Sequence, residues 1–195
     1  MIPRAVILIG PPGCGKTDPT RKLAAGEGYF TVSMSEVIKG FIENDPDRLL
    51  NEAEMSRGNL LPDPLCIAIL ADYLRSVPPE VNLVIDGFPR TLVQAEFIVN
   101  FLREYETFVV ILELSDEECK DRVRYRKSEV PRTDDNPKVH ARRLRVYREA
   151  IPAMQRFFQR HVGIHIVDAS LSKEAVWQEI DELLHEETAQ LKKLG

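Results

Sequence analysis

The sequence predicts an α/β domain, a doubly wound parallel sheet with helices on both faces. Three observations carry that prediction. Apolar, β-branched runs recur along the chain, segments long enough for helices lie between them, and a glycine-rich turn follows the first run directly. Runs that are continuously apolar, not alternating, belong to strands buried on both faces, as parallel strands are. At 195 residues the chain suits one domain burying about 70% of its unfolded surface.

The elements follow in order. Ala5-Val-Ile-Leu-Ile9 is the first strand, and a helix should open after the turn that follows it. Residues 29–32 form the second strand. The stretch 33–76 then lacks a convincing strand and carries helical patterns at 35–43 and 63–75, so it reads as a helical insertion that closes over a ligand or covers a sheet edge. Residues 83–85 form the third strand. Thr91 stands before Leu92, Ala95, Ile98, Val99 and Leu102, a hydroxyl cap followed by an apolar stripe at helical spacing. Residues 108–114 form the fourth strand. Ser115-Asp-Glu-Glu118 then supplies a cap and three acids, which suit the positive end of a helix dipole. Residues 164–167 form the fifth strand. Ser172, Lys173 and Glu174 open the last helix, with Ala175, Val176, Ile180 and Leu183 facing inward.

Composition narrows the function classes. The net charge of −5 argues against broad binding of nucleic acid. Between Lys120 and Arg148, however, eleven Lys or Arg stand against four acids, Asp121, Glu129, Asp134 and Asp135. Such a stretch is either a solvated helix face or the site of a small polyanionic ligand. Cys14, Cys66 and Cys119 are odd in number and widely spaced, so neither a disulfide framework nor a zinc site is expected. The apolar run at the N-terminus is too short for a signal peptide or a membrane span. A reducing cytoplasm is the expected compartment.

Gly10-Pro-Pro-Gly-Cys-Gly15-Lys16-Thr17 satisfies G-x-x-x-x-G-K-[ST] immediately after a strand. Glycines let the backbone curl so that successive N–H groups converge on phosphate oxygens, and the following helix adds its dipole. Lys16 is placed to reach β and γ phosphates, with the Thr17 hydroxyl beside it for magnesium. This motif identifies a nucleotide and leaves the reaction open. Further along, Val84-Ile-Asp86-Gly-Phe-Pro-Arg90 ends the third strand in an acid, a glycine and an arginine. Asp86 there is a candidate magnesium ligand, and Arg90, stiffened by Pro89, is a candidate phosphate clamp.

Asp86-Gly-Phe-Pro-Arg90, taken with Gly10–Lys16, resembles the signature of the adenylate kinase family. The likeness continues through 33–39, 58–63, 122–126, Arg132-Thr-Asp-Asp-Asn136 and Arg143-Leu144. It implies a five-stranded parallel core, a helical arm at 33–76 that binds a nucleoside monophosphate, and a lid closing over ATP. It further implies that Gly13, Cys14, Gly15, Lys16, Thr17 and Asp18, with Arg122 and Arg126, hold ATP. Met34, Lys39, Leu60, Gly87, Phe88, Arg90 and Gln94 would line the acceptor site. Arg132 and Arg143 would grip the transferring group and the acceptor phosphate, joining Lys16, Arg90 and Arg122 in catalysis. Such transfer needs alignment and distributed positive charge more than a covalent catalyst. The resemblance also implies Mg²⁺ at Thr17 and Asp86, and a monomer.

Gln94 falls where AMP-specific members carry glutamine, and a carboxamide both donates to and accepts from one adenine edge. AMP is therefore the expected acceptor, with UMP or CMP as the alternative. Only Lys127–Thr133 separates Arg126 from Asp134, so a short lid at 127–137 without structural zinc is expected. Several positions depart from the family pattern: Asp18 and Pro19 after the loop, Met34 for threonine, Lys39 for arginine, and Pro131 for a lid glycine. Asp18 either favours the helix start or repels the triphosphate. Pro19 requires the helix's first turn. These departures motivate a second alternative, a nucleotide-binding regulator with weak catalysis.

Overall fold

The computed structural model describes residues 2–26, 28–43, 53, 57–129 and 136–191, the side chains of 126–129 and 186–191 excepted. Five strands form one parallel sheet: β1 (Arg4–Ile9), β2 (Phe30–Ser33), β3 (Leu83–Asp86), β4 (Glu106–Glu113) and β5 (His165–Asp168). Their spatial order is β2-β3-β1-β4-β5, which puts the first strand at the centre. The chain winds to one side of β1 and then to the other, so a crevice opens at the carboxyl ends of the strands. Each strand lies within two residues of its position in the apolar pattern.

Strand residues alternate between two cores. Ala5, Ile7 and Ile9 of β1, with Ile85, Val109 and Ile111, pack on one face. Val6 and Leu8, with Val84, Val110 and Leu112, pack on the other. The first face carries α2 (Met34–Ile42), α3 (Asp63–Arg75), α4 (Leu92–Phe101) and most of the buried side of α6 (Pro137–His161). The second carries α1 (Thr17–Gly26), α5 (Asp116–Glu129) and α7 (Lys173–Leu191).

The helix starts use the capping residues that the sequence offers. Thr91 Oγ1 accepts from Gln94 N at 3.2 Å, Ser115 Oγ from Glu118 N at 3.2 Å, and Ser172 Oγ from Ala175 N at 3.1 Å. Ser115 Oγ also donates to the Glu118 carboxylate at 2.6 Å, so the capping hydroxyl is held at both its lone pair and its proton. Asn136 Oδ1 accepts from Lys138 N at 2.9 Å at the head of α6. Pro19 lies in the first turn of α1, where its missing N–H costs no intrahelical bond. Of the expected lid at 127–137, residues 130–135 lie outside the described residues; 127–129 end α5, and 137 opens α6 after its cap Asn136. No described helix is long and apolar enough to cross a membrane.

Candidate active site

Two turns leave adjacent strands at the same end of the sheet. Gly10 follows β1, Gly87 follows β3, and Leu8 is paired with Asp86 in the ladder between them. In the first turn the backbone is left-handed at Gly13 (φ 92°) and Gly15 (φ 103°). A side chain at Gly13 would also meet the Cys119 carbonyl at 2.9 Å, so this bend is shaped by close approach to α5 as well as by φ. Lys16 Nζ arches over the loop, donating to the Gly10 carbonyl at 2.7 Å and the Pro11 carbonyl at 3.2 Å, with Cys14 Sγ at 3.5 Å. A cation is thereby held at the mouth of a ring of backbone amides.

Arg122 of α5 reaches across to the same loop. It donates to the Cys14 carbonyl at 3.1 Å and the Ala169 carbonyl at 2.6 Å, and Nη1 lies 3.9 Å from where a side chain on Gly15 would begin. His140 Nε2, from α6, lies 3.0 Å from the Pro12 carbonyl and braces the opposite wall. Thr17 begins α1 and is exposed, while Asp86 is half-buried at the end of β3 between Leu8 and Ser33. Asp18 offers its carboxylate to Lys22 at 3.3 Å, an ion pair without hydrogen-bond alignment, and gives its N–H to the Gly15 carbonyl at 3.2 Å. The carboxylate thus stands in the first turn of α1 with Lys22 as its ionic partner.

The second turn borders a cavity lined by Met34, Ile38, Asn59, Leu60, Leu61, Cys66, Gly87, Phe88, Arg90, Gln94 and Arg143. It brings together Met34, Leu60, Gly87, Phe88, Arg90, Gln94 and Arg143 from the expected acceptor set. Lys39 is not among them: it projects from the exposed side of α2, whose Met34 and Ile38 face inward. Arg132 lies outside the described residues, as does the side chain of Arg126. Arg90 Nε donates to the Gly87 carbonyl at 2.8 Å, which curls the guanidinium along its own turn. Burial pushes the Cys66 thiol up to about 11 despite the opposing charge of Arg90.

Gln94 is only 2% exposed, and both ends of its carboxamide are held. Oε1 accepts from Arg90 N at 2.8 Å and Nε2 donates to Asp63 Oδ1 at 2.8 Å. The other carboxylate oxygen of Asp63 accepts from Thr91 Oγ1 at 2.9 Å. Sequence reasoning missed Asn59, Ile38, Leu61 and Cys66, which line the cavity, and Asp63, which holds the Gln94 carboxamide. Asp63 had a readable signal, an acid at a helix start after Pro62, but that position has a sufficient local explanation in the helix dipole.

The basic stretch 120–148 divides between the two roles that its charge allowed. Arg122 and Arg143 turn inward, whereas Arg124, Arg145 and Arg148 pair on the surface with Asp121, Glu149 and Asp116. Among the described residues no cluster of three or more His, Cys, Asp or Glu side chains gathers as a metal cage. Magnesium does not need one: it keeps several waters and takes one or two protein oxygens beside substrate phosphates. The Thr17 hydroxyl and the Asp86 carboxylate are hard oxygen donors of that kind.

A P-loop motif and an Asp-Gly-Phe-Pro-Arg turn on neighbouring strands, with Arg122 and Arg143 arriving from α5 and α6, are the arrangement of a phosphotransferase of the nucleotide-kinase class. The comparisons with known proteins carry this further. The family model described as adenylate kinase matches residues 8–162. An adenylate kinase of Parvibaculum lavamentivorans is 31% identical over 187 residues, 92% of this chain and 91% of that protein. One from Thermus thermophilus is 32% identical over 181 residues, 91% of this chain and 95% of that protein. One from a Synechococcus species is 33% identical over 180 residues, covering 90% and 95%. The chain belongs to the adenylate kinase family.

Proposed function

We propose that the chain transfers the γ-phosphoryl group of Mg-ATP to AMP, giving two ADP. The observation that supports this reading is the ladder pairing of Leu8 with Asp86, which sets the turns after β1 and β3, read as the two phosphate sites, on adjacent strands of one sheet. ATP would lie along Gly13, Cys14, Gly15, Lys16 and Thr17, with Arg122 and Arg126 alongside. AMP would occupy the cavity of Met34, Leu60, Gly87, Phe88, Arg90 and Gln94, with 33–76 as the acceptor arm and 127–137 as a short lid. Magnesium would be held by Thr17 and Asp86, where it offsets charge on the phosphates.

The chemistry asks little of the protein beyond placement. A phosphate monoester is largely dianionic at neutral pH, so the attacking oxygen needs no general base. Lys16, Arg90, Arg122, Arg132 and Arg143 would spread the charge that develops on the transferring group and hold donor and acceptor in line. Three free, buried cysteines support a reducing cytoplasm, and the resemblance to the family is what suggests a monomer.

An acceptor panel tests the reading. ADP formation from ATP should be seen with AMP and fall away with UMP, CMP and GMP; turnover confined to pyrimidine acceptors would replace AMP with the alternative. Lys16→Met should lower kcat by about 10³-fold or more while leaving the fold intact, in line with the weight of such cations in phosphoryl transfer.

A further inference from the structure

Gln94 is held in one orientation, and the groups that hold it dictate which orientation that is. The Arg90 N–H can only donate, so the group facing it must be the amide oxygen. The Asp63 carboxylate can only accept when ionised, so the group facing it must be the amide nitrogen. Thr91 fits the same arrangement without contacting the carboxamide. Its hydroxyl accepts from Gln94 N at the helix cap, which leaves its proton for Asp63 Oδ2. A flipped carboxamide would set two acceptors together at Asp63 and two donors together at Arg90. Both clashes would be buried, where an unmatched polar pair is expensive.

Each end of the amide then has one valence left: a lone pair on Oε1 and a hydrogen on Nε2. Gln94 lines the same cavity as Met34, Leu60 and Phe88. A 6-amino purine matches the pair, its amino group donating to Oε1 and the adjacent ring nitrogen accepting from Nε2, on either the N1 or the N7 edge. A 6-oxo purine opposes its carbonyl oxygen to Oε1 on both edges. On the N1 edge, where the ring N–H donates, a free amide could accommodate the 6-oxo base by a flip and this one cannot; on the N7 edge both 6-oxo atoms accept, and neither orientation matches.

We propose that Asp63 is a positioning residue for acceptor specificity: by fixing the direction of the Gln94 carboxamide it selects 6-amino over 6-oxo purine monophosphates. The inference rests on the acceptor-site reading above and adds to it a residue that does not itself touch the base.

The test compares kcat/KM for AMP and IMP, since IMP differs at the 6-position without adding a 2-amino group. In Asp63→Ala the AMP-to-IMP ratio should fall by about tenfold or more, because the site loses the means to reject a mismatched hydrogen-bonding partner. The loss should appear mainly in KM for AMP, with kcat retained. Asp63→Asn keeps the shape and offers one acceptor oxygen to two donors, so its ratio should fall less, by about threefold; it carries the test if the alanine variant does not fold. Thr91→Val removes the helix cap and one donor but leaves the Asp63–Gln94 bond, so it should lower stability while leaving the ratio near the parent value. An unchanged ratio in Asp63→Ala overturns the inference while leaving AMP as acceptor. An equal fall in Thr91→Val also overturns it, since the ratio would then report only a loosened helix. A parent enzyme that phosphorylates neither purine overturns the acceptor-site reading itself.

Discussion

At the scale of single residues, charge and protonation give the sharpest expectations. Arg143 reaches the acceptor cavity from α6 and shares it with Arg90. Arg143→Ala should reduce kcat/KM for AMP by about 10²-fold or more, with thermal stability little changed, as steady-state kinetics and a melting curve will show. The buried thiols give a pH signature. Burial lifts both Cys66 and Cys119 from 9.0 to about 11. The folded state therefore binds these protons more tightly than the unfolded chain does. Their contribution to stability is complete below pH 9 and is lost as pH rises from 9 through 11. Denaturant midpoints should be flat from pH 7 to 8.5 in this respect and decline above 9, and Cys66→Ala should flatten part of that decline. The sequence showed the phosphate loop and Asp86–Arg90 clearly, because those motifs place chemistry within a few consecutive residues. It did not show Asp63 beside Gln94, a contact across 31 positions that depends on how α3 packs on α4. Lys39 was readable as a cation but not as an exposed one: the helical phase set by Met34 and Ile38 puts it on the solvent side of α2, outside the cavity lining.

At the scale of elements, the caps and tight contacts decide which substitutions matter. Ser115 lies outside the proposed substrate sites and caps α5, its hydroxyl accepting from Glu118 N and donating to the Glu118 carboxylate. Ser115→Ala should cost about 1 kcal/mol, lowering Tm by roughly 2–4 °C in a chain of this size, with kinetics unchanged. Gly58 is more demanding. Its φ is 82°, and a side chain there would sit 3.0 Å from the Val139 carbonyl. Gly58→Ala should be destabilising by about 1–2 kcal/mol from the left-handed backbone alone. It should also raise KM for AMP, because Asn59 and Leu60 of the acceptor cavity follow directly. The helix starts at Thr91, Ser115 and Ser172 were legible because each pairs a hydroxyl with an apolar or acidic pattern. The full span of α6 was not, because Pro152 interrupts its interior without ending it.

At the scale of the molecule, the central strand governs everything attached to it. The parallel, doubly wound sheet was readable from five apolar runs, since strands buried on both faces leave no polar alternation to confuse with surface. Strand order was not readable, because it is set by crossovers and not by composition. Ile111 is fully buried beside Ile9 in the ladder, so Ile111→Ala should cost about 2–5 kcal/mol and broaden into a loss of both nucleotide sites on heating. One junction gives the architecture a further property. Val139, against Gly58, and His140, against Pro12, are consecutive residues on a single turn of α6. A displacement of that turn would disturb the contacts at Gly58 and at Pro12 together. One turn of a single helix is thus the common support of two loops that belong to different parts of the chain.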